Sequence, residues 1–172
     1  IVSIFVNPTQ FNQKKDFKNY PRNTKKDISI LKKLKVNYLF LPEVKEIYKK
    51  KMKNFKLNKS DKILCAKYRK GHFEGVLNVM NRLLSIVKSK QVFMGEKDFQ
   101  QYMLIKKILG KKYKKKIVGC PTIREGNKIT FSTRNKLLNK SAIKTASKIA
   151  NKLSKLKRLS KTNKSLDLPK YK

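Results

Sequence analysis

Apolar and polar positions alternate along this chain in two different rhythms. The first six residues, Ile1-Val2-Ser3-Ile4-Phe5-Val6, form a short apolar run and predict a buried strand over 1–6. A loop follows, containing Asn7-Pro8-Thr9-Gln10-Phe11 and later Tyr20-Pro21-Arg22. Thr24-Lys25-Lys26-Asp27 then reads as a capping box for a helix whose apolar face carries Ile28, Leu31 and Leu34. Residues 36–41 predict a second strand stopped by Pro42, and 44–48 a short helix. The stretch 49–61 is basic and irregular, with a candidate strand near Phe55-Lys56-Leu57. A long helix is expected over 73–87, because Val76, Val79, Met80, Leu83, Leu84 and Val87 recur at core-facing spacing. A strand at 91–94 follows, then a helix over 98–109 ended by Gly110, and a strand over 116–120. Residues 121–134 form a loop or hairpin with Gly126-Asn127 at its turn. A final amphipathic helix spans 141–159, with Ile143, Ala146, Ile149, Leu153 and Leu156 on one face.

Strand and helix alternating at this spacing predict a parallel sheet covered by helices. Ligands of such sheets gather beyond the carboxyl ends of the strands. The loops after Val6, Met94 and Cys120 lie there. The stretch Gly95-Glu96-Lys97-Asp98-Phe99-Gln100-Gln101 follows a strand and opens a helix, which is a place to hold phosphate. A helix start offers unpaired N–H groups, Lys97 adds a full charge, and Asp98 can cap the helix or accept from a sugar hydroxyl. Taken alone, the same stretch is also an ordinary strand–helix junction.

Charge changes this picture less than its size suggests. The chain has 172 residues and a formal net charge of +36. Dense positive charge attracts nucleic acid. Here the excess is nearly all lysine rather than arginine, and it is spread along the whole chain. Specific phosphate and base contacts favour the arginine fork. Abundant Asn, Ile and Lys together match an AT-rich coding sequence, so we expect no specific nucleic-acid function. Cys65 and Cys120 stand far apart and form neither a zinc pattern nor a disulfide framework, which fits a reduced, cytoplasmic setting. No apolar run approaches the roughly 18 residues of a membrane span.

Four segments carry the chemistry: Phe5 to Phe11 around Asn-Pro-Thr-Gln, Arg69-Lys70-Gly71-His72-Phe73-Glu74-Gly75-Val76, the Gly95–Gln101 stretch, and Pro121 to Asn135 ending in Phe131-Ser132-Thr133-Arg134-Asn135. Together, in this order, they resemble the pantothenate synthetase (pantoate–β-alanine ligase) family, over roughly residues 1–138. That family's segments run close to FVNPxQF, RPGHFRGV, FGEKDxQQ and PTxRExDGLAxSSRN. The resemblance implies an incomplete α/β fold, a Rossmann-like parallel sheet of the nucleotidyltransferase (HUP) type. It also implies an ATP-dependent condensation of pantoate with β-alanine through pantoyl adenylate, releasing pyrophosphate and then AMP. ATP would come with Mg2+ on its phosphates, and the complete protein would be a homodimer.

By the same resemblance Gln10 and Gln101 hold pantoate, with Asn7 supporting that pocket. Gly95, Glu96, Lys97 and Asp98 take ATP: Gly95 and Asp98 meet the ribose, and Lys97 meets phosphate. Ile123 contacts adenine through its backbone, and Phe131, Ser132, Thr133 and Arg134 form the phosphate-gripping loop. Lys97 and Arg134 are the expected catalytic charges. Arg69 and His72 are supporting residues. Lys70 replaces a usual Pro, Glu74 a usual Arg, and Thr133 a usual Ser. Each residue also has a plainer reading: Gln10 as a solvated loop residue, Gln101 as a surface helix residue, His72 as structural, 131–134 as an ordinary Ser/Thr turn. A nucleic-acid-binding basic protein, and another nucleotidyltransferase such as a relative of the aminoacyl-tRNA synthetase catalytic domain, are the competing classes.

His72 is the only histidine, so the family's HxGH histidines have no counterpart here. Residue 1 is Ile and already reads as strand. We expect a fragment that is unstable or inactive alone, lacking the family's central first strand and most of its C-terminal domain. The expected domains are 1–140, a partial nucleotide-binding domain, and 141–172, the start of a truncated second one. An open slot is expected between the strand at 1–6 and the strand at 91–94.

Overall fold

The computed structural model describes residues 1–48, 54–114 and 116–162. The chain divides into two compact units, Ile1–Pro121 and Thr122–Lys172.

The first unit opens with β1 (Val2–Ser3), a 3-10 turn at Pro8–Gln10, and the helices α1 (Lys14–Lys18) and α2 (Thr24–Lys33). After β2 (Leu39–Phe40) come α3 (Val44–Ile47) and α4 (Cys65–Tyr68), then the long helix α5 (His72–Ile86). Next are β3 (Gln91–Gly95), a 3-10 turn at Glu96–Asp98, α6 (Phe99–Ile105), a π-helical stretch Lys106–Gly110, α7 (Lys111–Tyr113) and β4 (Lys116–Cys120). β1 pairs with β2 in parallel, Val2 opposite Leu39. β3 pairs with β4 in parallel over all five residues, Gln91 opposite Lys116 and Gly95 opposite Cys120. Both connections are crossovers through helices, as parallel pairing requires.

The core gathers between α5, α6 and the β3–β4 pair. Phe73, Val76, Leu77 and Leu84 of α5 meet Tyr102, Leu104, Ile105, Leu109 and Ile117, with Val92 and Met94 packed against them. Strand β3 shows the period of two: Val92 and Met94 turn inward, whereas Phe93 is 65% exposed. The expected slot is present. β1 and β3 belong to separate two-stranded sheets, and a cavity of about 350 Å³ lies between them, lined by Val2, Ser3, Val92 and Phe93 and by Met80, Leu83, Leu84 and Val87 of α5.

Several boundaries differ from expectation for identifiable reasons. The first two strands shrink to two residues each, Val2–Ser3 and Leu39–Phe40, the length over which they pair. The cap of α2 is Asn23, whose side chain accepts from the Lys26 N–H, and not Thr24. None of Ile28, Leu31 and Leu34 is buried. Phe55 to Leu57 is not a strand; the Phe55 N–H instead donates to the Asn78 side chain at 3.0 Å. The expected irregular stretch at 49–53 lies outside the described residues. Gly110 does not end its helix. It keeps helical angles (φ −57°), and the chain turns only at Lys114, at φ 49°. Leu109 is fully buried and the Tyr113 hydroxyl donates to the Asn81 carbonyl, so packing carries the helix past the glycine.

The second unit contains a hairpin closed by an antiparallel bridge between Arg124 and Thr130. A 3-10 turn at Thr133–Leu137 and the helix α8 (Lys140–Thr162) follow. No helix among the described residues is long and apolar enough to cross a membrane.

Candidate active site

The best-defined part of the site is the turn after β1. Pro8 fixes the first position of the Pro8–Gln10 turn, and Asn7 caps it by accepting the Thr9 N–H at 3.2 Å. Asn7 is only 1% exposed. Its Oδ1 also accepts from the Thr9 hydroxyl at 3.0 Å and from the Tyr48 hydroxyl at 2.6 Å. Its Nδ2 donates to the Gly75 carbonyl at 3.2 Å and to Gln10 Oε1 at 3.4 Å. Every hydrogen-bonding position of the Asn7 amide is therefore occupied within the protein.

Helix α5 supplies the other half of this clamp. Gly71 begins it in the left-handed region, φ 77°. His72, buried, places Nδ1 at 2.6 Å from the Gln10 carbonyl. A carbonyl only accepts, so Nδ1 carries the proton. Gly75 lets the turn lie on the helix: a Cβ there would stand 2.5 Å from the Thr9 carbonyl oxygen. Asn12 Nδ2 donates to the Lys70 carbonyl at 2.8 Å, pinning the far side. Beyond it Phe11 packs edge-on against Phe17 and Tyr20, and Arg22 lies over Phe17.

Burial holds the His72 imidazole below its ordinary pKa. The Gln10 carbonyl opposes this, Arg69 adds to it, and the charges of Asp98 and Glu74 oppose it. The second segment and the Glu96–Asp98 turn thus share one electrostatic neighbourhood. Burial likewise raises the Tyr48 phenol, against the hydrogen bonds from Thr9 and Asn7. It stays a protonated donor at neutral pH.

At the Gly95 turn, Gly95 has φ −70° and ψ 130°, which any residue adopts, and nothing lies within 4 Å of where its Cβ would stand. Lys97 and Asp98 are exposed. Asp98 does not cap α6 with its side chain, contrary to one of the two roles considered for it. Glu96 leans over Gly119, where an added Cβ would meet Glu96 Oε1 at 2.8 Å. Gln101 is half-buried on α6. Its neighbour Gln100 donates from Nε2 to the Ile63 carbonyl at 2.8 Å, holding the chain next to Leu64, itself at φ 49°.

In the second unit Ile123 and Phe131 are 69% and 57% exposed, and the Phe131 N–H donates to the Ile123 carbonyl at 3.4 Å. Ser132 caps the next turn by accepting the Arg134 N–H at 3.3 Å. Thr133 and Arg134 are exposed. Asn135 ties the loop down, donating to Glu125 Oε1 and to the Thr130 carbonyl, both at 2.9 Å.

Sequence reasoning gave Tyr48, Gly75 and Asn135 no role, although its motifs include Gly75 and Asn135. Asn135 closes its own motif. Tyr48 gave no signal, standing 41 residues from the amide it touches. No cluster of three His, Cys, Asp or Glu side chains able to hold a metal occurs among the described residues.

Comparison with known proteins gives these residues a context. The family described as pantoate-beta-alanine ligase matches residues 1–170. A bifunctional pantoate ligase/cytidylate kinase of Prochlorococcus marinus is 42% identical, over 98% of this chain and 34% of its own length. A pantothenate synthetase of Thermosipho africanus is 37% identical, over 92% of this chain and 58% of its own. The crystal structure of the Francisella tularensis pantoate-beta-alanine ligase, complexed with beta-gamma ATP and beta-alanine, superposes with a TM-score of 0.80 at 43% identity, covering 87% of this chain and 58% of that one. The pantothenate synthetase of Thermus thermophilus gives a TM-score of 0.78 at 32% identity, over 84% and 54%. The chain spans about half the length of the curated relatives it matches.

Proposed function

We propose, from the premise that this chain belongs to the pantoate-beta-alanine ligase family, that it carries most of the acid- and nucleotide-binding surface of an enzyme joining pantoate to β-alanine. A pantoate carboxylate oxygen attacks the α-phosphorus of ATP. The bond to the pyrophosphate oxygen breaks, leaving pantoyl adenylate. The β-alanine amine then attacks the activated carbonyl and loses a proton, and AMP departs. Little covalent work falls to the protein; positioning and charge neutralisation carry the rate.

The observation that carries this proposal is the Gln10 clamp. A half-buried glutamine, held at the tip of a turn by α5, is built to receive a small polar acid. In this scheme Gln10 and Gln101 hold pantoate, and Asn7 supports Gln10. Gly95 and Asp98 meet the ribose, and Glu96 shapes the floor of that turn. Lys97 meets phosphate, Ile123 the adenine, and Phe131, Ser132, Thr133 and Arg134 grip the phosphates. Lys97 and Arg134 are the charges that stabilise the transition state. Magnesium would come with ATP and supply charge neutralisation at its phosphates. We further assign the complete protein to the cytoplasm, as a homodimer.

The test is direct. Titrating the full chain with pantoate and with ATP–Mg2+ should raise its melting temperature. Salt-sensitive RNA binding with no response to either small molecule would replace this proposal with the basic-protein alternative.

A further inference from the structure

Two groups of fixed polarity and one hydroxyl surround the Asn7 amide. The Thr9 N–H can only donate, and it faces Oδ1. The Gly75 carbonyl can only accept, and it faces Nδ2. The Tyr48 hydroxyl donates to Oδ1. Asn7 therefore cannot flip its amide without setting two buried pairs like against like. Its Nδ2 also faces the end of the Gln10 side chain, so that end must be the acceptor, Oε1. The backbone of Gln10 is committed as well. Its N–H points to the Asn7 carbonyl at 3.5 Å, and its carbonyl takes the His72 ring. What remains is Nε2, which meets no acceptor among the described residues.

We infer that Asn7 and Tyr48 are positioning residues that hold the Gln10 amide with its NH2 group outward, so that the site reads hydrogen-bond acceptors. The substrate oxygen that meets Gln10 is then a carboxylate or an oxygen lone pair. A substrate hydroxyl would meet the outward NH2 group through its oxygen lone pairs, while Oε1 stays turned toward Asn7 Nδ2. This deepens the function proposed above and rests on it for the identity of the acid, but the orientation of the amide stands on the hydrogen bonds alone.

The test uses the full chain with 15N-labelled glutamine, the Gln10 carboxamide signals being assigned by their loss in Gln10→Glu. In the wild type the Gln10 NH2 protons should exchange freely with water and show no cross-relaxation to Asn7 or Gly75 protons. Asn7→Asp removes the only donor facing Oε1 among the described residues and leaves an acceptor. The Gln10 amide should turn over, and its NH2 exchange should slow about tenfold or more. Pantoate affinity should fall about tenfold or more, while ATP affinity stays within about twofold. Tyr48→Phe should weaken pantoate by only a few-fold with the amide unturned, because Oδ1 keeps its Thr9 donors. An NH2 group already turned inward in the wild type overturns the inference. So does an Asn7→Asp protein that loses pantoate and ATP affinity equally, which is what a merely structural residue would give. If Asn7→Asp does not fold, the wild-type spectrum still decides the orientation. If the wild type shows the outward amide yet binds no pantoate, the functional proposal fails and the orientation survives.

Discussion

Replacing Gly75 by alanine sets two effects of known size against each other. In the interior of a helix the change from glycine to alanine stabilises by about 1 kcal/mol. Gly75 is the fourth residue of α5, already hydrogen-bonded to Gly71, and would be expected to show that gain. The structure argues the opposite sign. The new methyl would stand 2.5 Å from the Thr9 carbonyl oxygen and 2.9 Å from its carbon, where ordinary contact begins near 3.4 Å. Both are backbone atoms, so the Pro8–Gln10 turn must retreat by about 0.9 Å, the difference between the two separations. Overpacking of this kind costs about 1–3 kcal/mol. A retreat of that size also strains the bond from Asn7 Nδ2 to the Gly75 carbonyl and the bond from His72 to Gln10, each worth about 0.5–1.5 kcal/mol. The net expectation is destabilisation by about 1–4 kcal/mol. Urea unfolding of the full chain measures it, with an unchanged slope as the check that the unfolded state is the same. A Gly75→Ala protein equal to or more stable than the wild type would refute the claim that this turn is seated on the helix.

Gly95→Ala should behave in the contrary way. Its backbone angles suit any residue and the space around it is open, so stability should change by less than about 0.5 kcal/mol in the same urea assay. If the open space is where the nucleotide approaches, calorimetric ATP affinity should nonetheless fall about tenfold. Lys97→Ala and Arg134→Ala should each weaken ATP by about tenfold and leave pantoate binding within about twofold; equal loss of both ligands would remove them from the phosphate site. His72 gives a pH signature. Its folded pKa is lowered, chiefly by burial, so the unfolded chain takes up the proton first. Its contribution is intact above about pH 6.5, is lost as pH falls from there towards the depressed folded value, and is flat below it. Stability measured from pH 8 to pH 5 should show this loss, and His72→Asn should remove that part of the slope.

What the sequence disclosed was what local rules govern. The stripe on α5, the alternation Val92, Phe93, Met94 and the strand at β4 all follow from period and burial, and they appear where expected. The crowding of Asn7 against Gly75 could not be read, because the two are 68 residues apart and neither carries a local signal of the other. Gly110 misled for a related reason. A glycine after an apolar run ends many helices, yet here buried Leu109 and the Tyr113–Asn81 contact outweigh a penalty of about 1 kcal/mol. The same limit applies to Asn23 and Thr24, adjacent residues that can both cap, where only the backbone angles choose between them.

The Pro8–Gln10 turn takes its rigidity from the helix beside it. The segment before it pairs with β2 through only two residues, with the Val2 and Ile4 N–H groups donating to the Tyr38 and Phe40 carbonyls. The turn and its flanks are joined to α5 at Gly75 and His72, through Asn12 to Lys70 just before that helix, and to Tyr48 beyond α3. Helix α5 in turn is fixed by a core it shares with α6 and the five-residue β3–β4 ladder. The site is therefore positioned by the helix and not by the short sheet that leads into it. The C-terminal half of that helix forms the floor of the slot between β1 and β3, so the slot and the turn share one rigid support. A change confined to β1 should reach Gln10 weakly, whereas a change at the α5 N-terminus should reach it at once, because the Gly75 and His72 anchors are there.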